Sequence, residues 1–148
     1  MSKIKDEATR LRAIFRLIGR RADALNGRNA TPRSELSVLA WLNDDGPMTP
    51  SALARVHRVR PQSMGQTLDA LERRRWIKRS PHPDDRRQVL VTLQAAGRTT
   101  LEKKRRVRQA WLEGEIGKLT RNERRTLSAA LDLLDRFLAD DPTPTPKI

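Results

Sequence analysis

Ile4, Ala8, Leu11, Phe15, Ile18, Ala22 and Leu25 recur at alternating steps of four and three, so the chain opens on a helix with one apolar stripe. Asn26-Gly27 is its stop signal. Thr31-Pro32 predicts an N-cap with proline at the first helical position, and the helix behind it carries Leu36, Leu39, Ala40 and Leu42. The breaker run Asn43-Asp44-Asp45-Gly46-Pro47 ends that helix. Thr49-Pro50 repeats the cap-and-proline device ahead of a short helix through Leu53 and Ala54. Pro61 begins a fourth helix, expected to reach about Arg74.

The period then changes. Residues 76–80 and 88–93 read as two strands joined by Pro81-His82-Pro83-Asp84-Asp85-Arg86-Arg87, a loop with no apolar residue other than its prolines. Residues 95–118 predict a long polar helix bearing Leu101, Val107, Trp111 and Leu112, with Gly114 and Gly117 weakening its end. Thr120 and Glu123 form a capping box before a last helix, in which Leu127, Leu131, Leu134 and Leu138 step by four, three and four. Prolines alternating with threonine from Pro142 predict a disordered tail over 140–148.

This order predicts a mainly α fold with a small β-hairpin, a winged helix-turn-helix. The whole of 1–148 is expected to form one domain, with the winged helix-turn-helix over 31–94. Residues 1–30 and 95–139 are expected to supply dimerisation helices. Leu11, Phe15 and Ile18 on the first helix, and Leu127, Leu131, Leu134 and Leu138 on the last, have little else in one domain to cover them. Packing of these two helices on each other is the competing reading.

On a helical wheel Met64, Leu68 and Leu71 of the fourth helix make a buried stripe, and Gln62, Gln66, Asp69 and Arg73 fall opposite. Ser63 lies at the margin. Glutamine matches the major-groove edge of adenine in two bonds, and serine donates or accepts. Asp69 is expected to pair with Arg73 one turn on.

Charge sharpens this picture. The 148 residues hold 31 Lys and Arg against 18 Asp and Glu, a formal net charge of +13. Between Leu53 and Leu90 ten basic side chains face only Asp69, Glu72, Asp84 and Asp85. A surplus of this kind calls for a polyanion, most simply double-stranded DNA. The candidate contacts are Arg58, Arg60, Pro61, Gln62, Ser63, Gln66, Thr67 and Arg73, with His82, Arg86 and Arg87 on the hairpin. With 3% aromatic residues and no Tyr, a base-stacking single-strand or RNA module is disfavoured.

Leu53-Ala54, Val59, Arg60-Pro61-Gln62-Ser63-Met64, Leu68-Asp69, Leu71-Glu72 and Trp76-Ile77 resemble the helix-turn-helix of MarR-type regulators, the multiple-antibiotic-resistance repressor family. Residues 85–93, Asp-Arg-Arg-Gln-Val-Leu-Val-Thr-Leu, resemble that family's wing signature, and Ala96-Gly97-Arg98 resembles the family's segment after the wing. Two positions depart from the pattern. Arg75 replaces a helix-ending glycine, which puts a left-handed helix end at issue, and Gln94 replaces the threonine that would cap the fifth helix. The resemblance implies an obligate homodimer on a pseudo-palindromic site, recognition helix in the major groove and wing against the minor groove. It implies that Asp85 and Arg87 brace each other. It also implies repression relieved by a small aromatic or phenolic ligand between the DNA-binding lobe and the dimer helices.

Other classes fare poorly. No phosphate loop, dinucleotide fingerprint or nucleophile elbow is present, and His57 and His82 stand in different elements outside any metalloprotease spacing. An enzyme, a cofactor and a metal site are not expected. The run from His82 to Asp85 reads as a wing turn. With 0 Cys there is no disulfide or thiolate zinc site, and no run approaches the ~18 apolar residues of a membrane span. No apolar segment with a cleavage site follows Met1, so a soluble cytoplasmic protein is expected. Phe15, Trp41 and Trp111 are candidates to line a pocket, but with so few aromatics they are assigned to the core, and no ligand residue is named. A sequence-indifferent architectural DNA-coating protein remains the alternative.

Overall fold

The computed structural model describes residues 2–27 and 31–139. Among the described residues six helices and one hairpin succeed one another: α1 (Lys3–Ala24), α2 (Arg33–Asp44), α3 (Pro50–Val56), α4 (Pro61–Arg73), β1 (Ile77–Pro81), β2 (Val89–Leu93), α5 (Ala95–Gly117) and α6 (Arg121–Ala139). This is the expected mainly helical winged helix-turn-helix. The expected tail over 140–148 lies outside the described residues, as do Met1 and 28–30.

Local chemistry accounts for most boundaries. Thr49 Oγ1 accepts from the Ala52 N–H at 3.2 Å and Pro50 takes the first helical position, so α3 starts where the sequence places it. At α6, Thr120 N–H donates to Glu123 Oε2 at 2.8 Å while Glu123 N–H donates to Thr120 Oγ1 at 3.3 Å, which is the capping box. Those bonds hold the Glu123 carboxyl below the usual carboxylate range. The expected Thr31 cap is corrected: Pro32 is the N-cap of α2, and buried Thr31 stands one residue outside. Gln94 caps α5 with backbone alone, and the helix still begins at Ala95. Gly114 does not break α5, which continues to Gly117.

The core lies under the helix-turn-helix. Val38, Leu39 and Leu42 of α2, Leu53 of α3, Met64, Leu68 and Leu71 of α4, Ile77, Val91 and Leu101 all fall at 4% exposure or less. The hairpin is antiparallel, with Ile77 opposite Leu93 and Pro81 opposite Val89. Met48 adds a bridge to its outer edge, with N–H···O bonds to and from Val91 at 3.1 and 2.8 Å. That third edge ties the segment before α3 to the hairpin. Gly97 brings α5 against the hairpin's start, because a β-carbon there would collide with the Trp76 carbonyl.

The terminal helices are different. Phe15, Ile18, Leu131 and Leu138 remain 55%, 39%, 50% and 58% exposed, whereas Leu11, Leu127 and Leu134 are half-buried. Phe15 is therefore no core residue, contrary to expectation. Trp41 is buried at 7%, and Trp111 is half-buried.

Candidate nucleic-acid interface

α3 and α4 end in the same way. Arg58 (φ 52) follows α3, donating its N–H to Arg55 O at 3.1 Å, and the next N–H, of Val59, reaches back to Ala54 O at 3.0 Å. Arg75 (φ 58) follows α4, with Arg75 N–H to Glu72 O at 2.8 Å and Trp76 N–H to Leu71 O at 3.0 Å. Both are Schellman ends, which normally place glycine in the left-handed position. Arg75 thus adopts the left-handed end without being glycine. The paired bonds outweigh the roughly 1–2 kcal/mol that a β-carbon costs there. The Arg74 guanidinium, 4.9 Å over the Trp76 ring and paired with buried Glu35 of α2, fastens the same corner.

The turn at Arg58 directs α4 outward. Arg60 is its N-cap and Pro61 its first helical residue, both exposed. Met64, Leu68 and Leu71 are 2%, 0% and 0% exposed and hold the helix from behind. Gln62, Ser63, Gln66 and Arg73 are exposed on the outer side, and among the described residues no hydrogen bond engages any of their side chains. Thr67 is half-buried, and its hydroxyl donates to Ser63 O at 3.2 Å. Asp69 is corrected: it pairs with Arg79 of β1 at 2.7 Å, not with Arg73.

The hairpin loop is braced by Asp85. Its Oδ1 accepts from the Arg87 N–H at 3.1 Å and from Arg87 Nε at 3.4 Å, and its Oδ2 accepts from Gln88 Nε2 at 3.3 Å. His82 Nδ1 accepts the Asp84 N–H at 3.2 Å, and the run from His82 to Asp85 bends at Pro83 and Asp84 ahead of the turn at Arg86-Arg87. Arg86 and Arg87 point to solvent, the latter with 94% of its side chain exposed.

Behind the turn sits His57, the C-cap of α3. Its Nδ1 lies 3.4 Å from Ser37 Oγ, its ring meets Trp41 edge-on at 6.3 Å, and its Nε2 is buried without a partner among the described residues. Desolvation lowers its pKa, so the neutral ring is the form this packing favours. In the sequence His57 stands out only as a member of a basic span. Arg79 is not among the candidate residues either, although its spacing two residues after buried Ile77 puts it on the inward side of β1.

A separate cavity of about 440 Å³ opens between α1, α2 and α5. Phe15, Ile18 and Leu36 give it apolar wall, and Arg33, Lys104, Arg105 and Arg108 give it positive charge.

Known proteins match this chain in both sequence and fold. Residues 32–89 match the sequence profile of the MarR family. An HTH-type transcriptional regulator of Mycobacterium bovis is 38% identical over 130 residues, covering 88% of this chain and 90% of the relative. The chain belongs to the MarR family. The multiple antibiotic resistance protein MarR of Escherichia coli is 27% identical over 135 residues, covering 88% of this chain and 94% of its own. Among solved structures, a putative transcriptional regulator from Pseudomonas aeruginosa superposes with a TM-score of 0.82 at 32% identity, over 95% of this chain and 99% of that one. As a MarR-family member the protein is a DNA-binding transcriptional regulator and not an enzyme. Among the described residues no helix is long and apolar enough to cross a membrane.

Proposed function

We propose that the protein is a cytoplasmic, ligand-responsive repressor that binds a pseudo-palindromic operator as a homodimer. Gln62, Ser63 and Gln66 read base edges in the major groove, with Thr67 at their margin. Arg58, Arg60 and Arg73 flank them, and Pro61 sets the helix start. Arg86, Arg87 and His82 bring the wing to the phosphate backbone and minor groove, with Asp85 holding Arg87 in place. Leu11, Phe15, Ile18, Leu127, Leu131, Leu134 and Leu138 form the dimer seam. The observation that carries the reading is the outer face of α4: exposed polar side chains without a partner among the described residues, on a helix fixed from behind by buried Met64, Leu68 and Leu71. An effector fits the cavity between α1, α2 and α5, whose mixed apolar and cationic lining suits an aromatic or phenolic molecule carrying negative charge.

The test is selection from a randomised duplex library, followed by titration against the selected and an unrelated duplex at one salt concentration. A regulator of this kind prefers its site by ~10³ or more. A ratio near one would overturn the reading in favour of an architectural DNA-coating protein.

A further inference from the structure

Arg79 makes a connection unlike any other ion pair among the described residues. Its Nη1 donates to Asp69 Oδ1 at 2.7 Å and to Glu72 Oε2 at 3.1 Å, and its Nη2 donates to Gly65 O at 3.3 Å. Its own backbone N–H donates to Glu72 Oε1 at 3.1 Å. One strand residue thus grips α4 from Gly65 to Glu72, about two turns of the helix that carries Gln62, Ser63 and Gln66. Its side chain is 27% exposed, against 94% for Arg87 in the local wing pair. β1 ends two residues later and runs straight into the wing loop. The hairpin cannot tilt against α4 without breaking this set of bonds, and the planar fork of a guanidinium makes them directional.

We propose that Arg79 is the positioning residue that sets the angle between wing and recognition helix, so that both engage one duplex together. This rests on the DNA-reading function above. Arg79 also neutralises Asp69 and Glu72, two carboxylates on a helix that approaches phosphates. Charge and geometry are separable. Lysine keeps the charge but loses the fork, and methionine loses both.

The experiment compares wild type with Arg79→Lys and Arg79→Met, on the duplex that wild type selects from a randomised library and on an unrelated one. Arg79→Lys should lose about tenfold or more on the selected duplex, the scale of strong coupling between contacting residues, and stay within about threefold on the unrelated one. Arg79→Met should weaken both. The double variant Asp69→Asn, Glu72→Gln should reproduce the Arg79→Lys loss on the selected duplex. Hydrogen exchange of the DNA-free protein supplies a readout that does not depend on the DNA-reading function. In Arg79→Lys the amides of β1 and β2 should exchange faster, with those of α2 and α3 unchanged. Should wild type select no sequence, the DNA-reading function falls while the exchange result still decides whether Arg79 holds the hairpin. Wild-type affinity or wild-type hairpin exchange in Arg79→Lys overturns the proposal. So does an equal loss on both duplexes, or a variant that does not fold, since Arg79 would then be a general stabiliser.

Discussion

Leu39, Leu53, Leu68 and Leu71 of the helix-turn-helix are wholly withdrawn from solvent, whereas Leu131, Phe137 and Leu138 of α6 keep 50%, 67% and 58% of their surface exposed. Both groups are legible as apolar stripes of the same period. The difference lies in what covers them. α2, α3, α4 and the hairpin bury one another's apolar faces, so this lobe satisfies its own pattern. α1 and α6 carry stripes that the described residues leave open. Covering a Leu or Phe completely contributes roughly 1.5–3 kcal/mol, so a seam of half-exposed residues is a substantial reserve of stability that a second copy can complete. In the proposed dimer, one lobe holds a shape for DNA and the other meets the second copy.

The strongest way to break that contrast is to charge the open seam. Leu131→Glu with Leu134→Glu places carboxylates where the proposed dimer excludes water, and an unpaired buried charge is strongly unfavourable. Sedimentation should show the dimer gone, and tight binding to a full site gone with it. A well-folded monomer that still binds tightly would show that the exposed leucines have no such use.

Next comes the outer face of α4. Gln66→Ala removes a side chain with no intramolecular partner among the described residues, so the melting temperature should not move. A bidentate glutamine–adenine contact discriminates by about 1–3 kcal/mol, and a palindrome contains it twice. The loss on the selected duplex should be on the order of tenfold to a hundredfold or more, with almost none on unrelated DNA. Equal losses on both would mean that the closed lobe holds a shape that reads nothing.

The wing should behave in the opposite sense. Arg86→Ala should weaken all duplexes alike and flatten the dependence of log affinity on log salt, by roughly one unit for each phosphate that a protomer no longer neutralises. A changed sequence preference with the slope intact would move base reading to the hairpin.

Much of this arrangement is legible in the sequence, for definable reasons. Caps announce α3 and α6, because Thr49 and the Thr120–Glu123 pair bond to backbone within three residues. The features that escape a sequence reading are tertiary. Met48 lies between Pro47 and the Thr49 cap, a single residue with no period of its own, and only the fold brings it to Val91. Asp69 has a neighbour one turn away in Arg73, yet Arg79 wins it by offering a fork shared with Glu72 and Gly65 O. An arginine on the inward side of a strand needs a carboxylate, and that signal is present in the sequence. The exposure of Phe15 escapes for another reason: the period of α1 shows which face is apolar, not whether the chain itself supplies its cover.

The closed lobe also carries a pH dependence in the histidine range, apart from the lowered Glu123 carboxyl at the start of α6. Burial lowers the pKa of His57, so the unfolded chain takes up its proton at a higher pH than the folded one. Stability is therefore complete above the ordinary histidine value of about 6.5, falls as pH drops through it, and levels off below the lowered folded value. Thermal melts between pH 7 and pH 5 should show this decline in wild type and a shallower one in His57→Asn. An unchanged slope would mean that the imidazole is not desolvated.

The smallest expected effect separates the lobe's two left-handed arginines. Arg58 and Arg75 have nearly the same backbone, φ 52 and φ 58, in the same Schellman geometry. Glycine at either position relieves the β-carbon strain but loosens the unfolded chain, so the net gain is below the full strain energy, on the order of 1 kcal/mol. Chemical denaturation should find Arg58→Gly and Arg75→Gly slightly more stable than wild type, by similar amounts. DNA should tell them apart. Arg58 stands in the turn that presents α4, whereas Arg75 lies at that helix's far end. Arg58→Gly should therefore weaken binding and reduce the salt slope by about one unit per protomer, as removal of one phosphate-neutralising charge requires. Arg75→Gly should gain stability and leave binding unchanged. If both weakened DNA equally, strain at the helix ends would not be kept for the arginine side chain in the turn, and Arg58 would leave the set of DNA-contacting residues.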